Sequence, residues 1–395
     1  VPVVSGAVAR HVRSSTTEHR DAMGRDGPTR VSVSPAEAMV TGRVELNWTK
    51  LMGLVMHTTR TLAWSLACSL LLGVIGVAGQ NPTVAPAGLP CDRVGEIQFI
   101  CDLISPEDLA VVPGSEWVIA SGNRAGGRIQ LINVEEKTAT ALFPSPDQNA
   151  RLDADTYPSC PGPIDPSEGD AFNAHGLYLE PGQGEVHVLY VVHHGHRESI
   201  EVFELDAKST PTIAWIGCAV APEAVGFNGV VALPGGGFAA TSPRTGDVWE
   251  WHTHSGWMQV PGSEDTAPNG LEISADGRWF YIAGWAEEKL TRLSRGQTPI
   301  QKEVVDLGFR PDNLRMSLDG SVIFAAGHGN IQTPRAPLQE TSNVATIDPE
   351  SLAVERVFQH PALDGFVAST TAIQIGNEMW LGTHRGERVA YFPVP

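Results

Sequence analysis

The chain has 395 residues, 42% hydrophobic and 18% charged, with a formal net charge of −18. This length and balance exclude a disordered or fibrous protein and allow a large buried core. Up to residue 80 there are eight Lys and Arg against five Asp and Glu, which leaves 19 against 40 beyond it. A body that acidic repels nucleic-acid phosphate and anionic lipid, so neither is expected as a partner.

Residues 1–55 show no periodic pattern and open on Val, and they are expected to be a non-native or disordered leader, an over-extended gene start. From Met56 the chain reads MHTTRTLAWSLACSLLLGVIGVAGQ, with a basic Arg60, an apolar run over 62–77 and small residues at Ala78 and Gly79. That is the layout of a secretory signal peptide spanning 56–79. The alternative, a membrane anchor, needs about 20 apolar residues, more than this run supplies. The expectation is therefore a secreted or periplasmic protein with no stable membrane span after cleavage. Cys68 leaves with the signal, and Cys91, Cys101, Cys160 and Cys218 remain in an oxidising setting. Four cysteines allow three pairings; Cys91 with Cys101, which flank one strand-like segment, is preferred, and buried thiols are the alternative.

A Pro/Ala linker over 81–89 precedes the body of the protein, residues 80–395. Residues 96–100 read as a strand expected to lie beside the segment around 389–392 and so hide two sheet edges. Six copies of one unit follow, opening at Glu107 (EDLAVVPGSEWVIAS), His175 (HGLYLEPGQGEVHVLYVV), Asn228 (NGVVALPGGGFAATS), Asn269 (NGLEISADGRWFYIAG), Asp312 (DNLRMSLDGSVIFAAG) and Thr370 (TTAIQIGNEMWLGT). Each is a short apolar strand, a turn rich in Gly, and a longer apolar strand; residues 268–295 show the pattern most fully. Spacings of roughly 40 to 70 residues suit four-stranded blades arranged radially, so the fold expected is all-β, a six-bladed β-propeller with a central metal-binding channel. The longest insertion, 143–170, is expected to form a lid or binding loop or else a disordered excursion, and 331–340 forms a second loop.

In a propeller the first strand of every blade lines the axis, so Glu107, His175, Asn228, Asn269, Asp312 and Thr370 should meet at one height, with Asp108 and Asn313 beside two of them. Apart from one imidazole and one hydroxyl, these are carboxylates and amides. Hard oxygen donors in that number suit Ca²⁺ better than Zn²⁺, giving a predicted metal set of Glu107, Asn228, Asn269, Asp312 and Asn313. The bland alternative is that each Asn or Asp ahead of Gly or Leu is a turn residue. A zinc site from His193, His194 and His196 lacks supporting ligand spacing. No Gly-x-Ser-x-Gly elbow occurs, which argues against a serine hydrolase on an α/β scaffold.

The strings Pro106-Glu107-Asp108-Leu109, Phe172-Asn173-Ala174-His175-Gly176, Asn269-Gly270-Leu271 and Asp312-Asn313-Leu314 resemble the paraoxonase/arylesterase family of calcium-dependent lactonases, within the wider gluconolactonase and strictosidine-synthase-like superfamily. The resemblance runs from about Glu107 to the C-terminus. It implies the same five ligands for a catalytic calcium, His175 and His194 as a catalytic histidine dyad, and Asp108 with the Leu177 carbonyl as ligands of a second, buried calcium. Gly229 stands where the family has a third, aspartate ligand for that second ion, and no C-terminal cysteine ties the ring shut. His328 resembles a histidine of the pocket wall, and Ser369 and Thr370 are further pocket candidates.

The function implied is calcium-dependent hydrolysis of lactones or aryl esters, with the metal polarising the carbonyl and His175 activating water. Two rivals stand beside it: a sugar-lactone hydrolase of the gluconolactonase type, and a non-catalytic propeller that binds a partner or ligand and uses calcium only to stiffen the ring. The imidazole above the metal separates the last from the first two.

Overall fold

The computed structural model describes residues 91–145, 149–165, 171–333 and 336–394. The leader, the signal segment and the linker lie outside the described residues, as do 166–170 of the long insertion. Strands form six antiparallel sheets, each a blade. Their innermost strands are Leu109–Val111, Phe172–Glu180, Val230–Ala232, Pro268–Ile273, Arg310–Met316 and Ala372–Ile375. Each of these touches the next around the axis, and the last touches the first, so the ring is closed. Glu107, Asn228 and Thr370 lie two residues ahead of one of these strands, and His175, Asn269 and Asp312 lie within the first four residues of another. No helix among the described residues is long and apolar enough to cross a membrane.

Closure comes from the segment expected to provide it. Gln98–Ile100 pairs antiparallel with Val389–Pro393, setting Gln98 opposite Tyr391 and Ile100 opposite Val389, and completes the sixth blade as its outermost strand. Cys91 is bonded to Cys101 across this segment, and Cys160 to Cys218.

Every blade is covered on both faces by its neighbours, so its middle strands read as nearly unbroken apolar runs rather than strict alternations. Trp279–Gly284, buried after its first residue, is one such strand. Six apolar clusters result, one at each blade junction. Ile119, Leu131 and Phe143 of the first blade, for example, pack on Phe172, Leu189 and Phe203 of the second.

Two features draw side chains to the axis. The second, fourth and fifth innermost strands break register at Ala174/Leu177, Pro268/Leu271 and Pro311/Leu314. Bulges of this kind re-aim side chains, and His175, Asn269, Asp312 and Asn313 all lie within them. Glycine allows the strands to approach closely. A Cβ on Gly176 would run into the carbonyl oxygen of Asn228, and one on Gly270 into that of Asp312 and, at 2.6 Å, the Cα of Asn313. The Asn-Gly and His-Gly pairs are thus sites of backbone contact between blades, not chain reversals.

The insertion does not lie across the axis in its described part. Asn149–Ala150 adds a fifth strand, parallel to the outermost strand Thr212–Val220 of the second blade. Tyr157 then stacks on Trp251 at 5.4 Å, and the Cys160–Cys218 bond ties the segment to that rim. Its Gly162 carbonyl accepts a 2.8 Å hydrogen bond from Arg197, which steadies the turn beyond His194.

Because the axial backbones leave no room for a methyl group, Gly270→Ala is expected to cost about 1–3 kcal/mol, as overpacking typically does. Thermal denaturation against wild type measures it, and an unchanged Tm would show that the strand junction is looser than described.

Candidate metal-binding and histidine site at the propeller axis

Glu107, Asn228, Asp312 and Asn313 are buried and lie where adjoining innermost strands meet, with Asn269 in the intervening bulge. Asn313 donates a 2.6 Å hydrogen bond to Glu107 Oε1, joining strands far apart in sequence. Three side-chain oxygens of the predicted metal set, Glu107 Oε2, Asn228 Oδ1 and Asn269 Oδ1, are buried without a hydrogen-bond partner. A buried acceptor left unpaired is costly. Three together, all oxygens, fit the donor set of a hard cation such as Ca²⁺. Glu107 is held well above the usual carboxylate range by burial and by the nearby charges of Asp108 and Asp312, which again calls for positive charge at this point.

Beside these oxygens lies a chain of three side chains. His175 Nδ1 is 2.8 Å from His194 Nε2, and His194 Nδ1 is 3.0 Å from Glu198 Oε2. Glu198 also accepts a hydrogen bond from the Phe227 amide at 2.9 Å, which fixes its carboxylate. A carboxylate can only accept, so His194 carries its proton on Nδ1 and offers the Nε2 lone pair to the Nδ1–H of His175. The Nε2 lone pair of His175 is then left free, 3.8 Å from Glu107 Oε1. Burial, followed by the nearby His194 and His384, holds the His175 pKa well below its ordinary value, so the ring stays neutral.

The donor set proposed for a second calcium does not fit an ion. Arg315 Nη2 pairs with Asp108 Oδ2 and donates to the Leu177 carbonyl at 2.7 Å, while Arg315 Nε donates to the Leu109 carbonyl at 3.1 Å. The guanidinium stands where a second cation would have stood. A Cβ at Gly229, the missing third ligand, would press at 3.0–3.2 Å on the backbone of residues 269–271. Asp108 nevertheless keeps a raised pKa because burial outweighs the Arg315 charge.

Two pocket candidates are also corrected. Ser369 and Thr370 are fully buried, with Ser369 Oγ bonded to the Asn343 carbonyl at 3.1 Å and Thr370 Oγ1 to the Glu107 carbonyl at 2.5 Å. Both brace backbone, and Thr370 holds Glu107 in place. His328, by contrast, reaches the site: its Nε2 lies 3.0 Å from Asp312 Oδ2. The His193, His194 and His196 grouping is not assembled as a site. The ring nitrogens of His193 face the carbonyls of Arg197 and Ala171 at 2.9 and 3.0 Å, and His194 turns to His175.

Residues absent from the predicted set are Arg315, Glu198, His384 and Glu272. Glu272 accepts from the Ile273 and Met316 amides, each at 2.9 Å, and burial raises its pKa despite the charge of Arg315. His384 stacks on His328 with ring centres 5.0 Å apart.

No family model and no curated protein matches the chain. Among solved structures, virginiamycin B lyase from Staphylococcus aureus is 10% identical, with a TM-score of 0.43 over 76% of this chain and 99% of that one. Periplasmic gluconolactonase from Pseudomonas aeruginosa is 13% identical, with a TM-score of 0.43 over 73% and 89% of the two chains. A protein of unknown function from Bacteroides thetaiotaomicron is 12% identical, with a TM-score of 0.46 over 74% and 70%. At these values the likenesses assign no activity to this chain.

Two expected outcomes test the charge arrangement. Glu107 has a folded-state pKa above its unfolded value, so without a cation its favourable contribution holds at low pH and is lost as pH rises through the folded value. The Tm difference between calcium-saturated and chelated protein should therefore widen as pH rises above the ordinary carboxylate range. A gap that is absent or independent of pH counts against cation binding here. Arg315→Met leaves Asp108 buried without its counter-charge and should cost about 3–5 kcal/mol in denaturant unfolding, with added calcium failing to restore it.

Proposed function

We propose that this protein is a hydrolase of lactones and aryl esters that depends on one divalent cation, with calcium the ion best suited to the oxygens of Glu107, Asn228, Asn269, Asp312 and Asn313. A bound cation supplies Lewis-acid polarisation of the ester carbonyl and stabilises negative charge on its oxygen. The observation that carries the proposal is the free Nε2 of His175 3.8 Å from Glu107, whose Oε2 is one of three unpaired buried oxygens in the set, with the ring backed by His194 and Glu198.

His175 Nε2 accepts a proton from water as the water oxygen bonds to the ester carbon, then returns that proton to the departing alkoxide as the carbon–oxygen bond breaks. The positive charge formed on His175 is shared with His194 across the 2.8 Å contact and balanced by Glu198. Asn313 and Thr370 hold Glu107 from either side, one at its carboxylate and one at its carbonyl. This division of labour, an oxygen cage for the ion and an imidazole for the proton, separates the hydrolase from a propeller that uses calcium as a strut. The two disulfides support an extracytoplasmic setting.

The test is a screen of lipophilic lactones, sugar lactones and aryl esters with and without chelator. His175→Gln is expected to lower kcat/KM by about 10²–10⁴, and Glu198→Gln by about 10–100, the usual cost of removing a supporting partner. Because burial keeps His175 neutral, the acid limb of kcat/KM should lie below the ordinary value of about 6.5. Full activity in chelator, or in His175→Gln, would overturn the mechanism. Calcium binding without hydrolysis of any of these esters would leave the non-catalytic propeller as the reading.

A further inference from the structure

The geometry points to a second divalent-metal site at the same face of the ring, built from Asp312, His328 and His384 and suited to a borderline transition ion of the Zn²⁺ or Co²⁺ class. One ligand atom from each of these residues lies within 4.8 Å of the other two. Two imidazoles and a carboxylate are a common set for such ions, whose bonds of about 2.0–2.2 Å would draw these atoms inward on binding. Asp312 thereby has one oxygen to offer to each of two neighbouring ions.

The side chains do not satisfy one another. His328 Nε2 lies 3.0 Å from Asp312 Oδ2 yet makes no aligned hydrogen bond to it, and His384 Nδ1 is likewise buried without a partner. The rings stack nearly parallel, 3° apart in plane, so neither donates to the other. Behind His328, Nδ1 faces Glu340 Oε1 at 3.7 Å, and Arg385 holds that carboxylate at 2.5 Å. A carboxylate behind a ligating histidine fixes its tautomer and turns Nε2 toward the metal. The edge of Trp285 closes the other side of His328, with ring centres 6.3 Å apart. The proposal shares Asp312 with the oxygen cage but does not depend on the hydrolase reading.

The experiment titrates Co²⁺ into the purified full-length protein in saturating Ca²⁺ and follows the visible absorption of imidazole-ligated cobalt, alongside elemental analysis for both metals. One Co²⁺ should bind without releasing Ca²⁺. His384→Gln and His328→Gln should each weaken Co²⁺ binding by more than the roughly 10–100-fold expected of Glu340→Gln, which removes only a supporting partner. The exposed His254→Gln should change nothing, and thermal melts confirm that each variant is folded. Absence of cobalt absorption, or equal binding by folded His384→Gln, overturns the site. Stoichiometric displacement of Ca²⁺ by Co²⁺ without imidazole absorption also overturns it, since cobalt would then sit in the oxygen cage. Cobalt binding through both histidines in a protein that takes up no Ca²⁺ would support this site while refuting the calcium cage.

Discussion

Three carboxylates brought within electrostatic reach of one another and out of water, Glu107, Asp108 and Asp312, set the terms for everything around the axis. Buried like charges are tolerated only where positive charge or protons compensate them. The chain answers Asp108 with a guanidinium of its own, since Arg315 binds both its carboxylate and the Leu177 carbonyl. Glu107 receives only the amide of Asn313, and its Oε2 is left unpaired. Asp312 faces an imidazole. Three neighbouring acids thus have three different partners, and Glu107 is the one left with an unpaired oxygen.

The backbone that makes this possible is held by contacts no side chain could replace. Gly176 and Gly270 let one innermost strand press on the next, and the bulges beside them turn His175, Asn269, Asp312 and Asn313 away from the regular alternation. Apolar packing between blades fixes the distance around the ring, while these contacts fix it at the centre. A site assembled from six distant segments needs both, because a shift of one strand by a single residue would exchange its axial side chains for those of the blade junction.

The repeat was legible because it is written in apolar periodicity and glycine, and closure by 96–100 followed from the need to hide two edges. The gathering of Glu107, Asn228, Asn269, Asp312 and Asn313 was legible for the same reason, since one register of six repeats must converge. Arg315 was not, because on paper it is the polar member of an alternating strand, indistinguishable from a solvent-facing residue. Only the fold reveals that no solvent-facing side exists at that depth. Glu198 and His384 escaped for a different reason. The register followed was that of the first strands, whereas the imidazole layer comes from where the second strands end: His194 in Val186–Gly195, His328 in Ile323–Thr333, and His384 just beyond Glu378–Leu381. Trp285 sits at the same station in the fourth blade. Following that second register would have found them.

The two registers differ in kind. First-strand positions are locked by neighbouring backbones and carry short, hard oxygen donors, so they define a fixed cage. Second-strand exits lead into loops and carry longer rings; Glu198 orients one of them through a 3.0 Å hydrogen bond, and Glu340 faces another at 3.7 Å. A histidine that merely filled space would gain nothing from a carboxylate setting its tautomer, because either tautomer packs equally well. Placing an oriented carboxylate behind His194 has an effect only if the lone pair that emerges at His175 Nε2 is used, and the group it faces is the Glu107 carboxylate, whose other oxygen is unpaired.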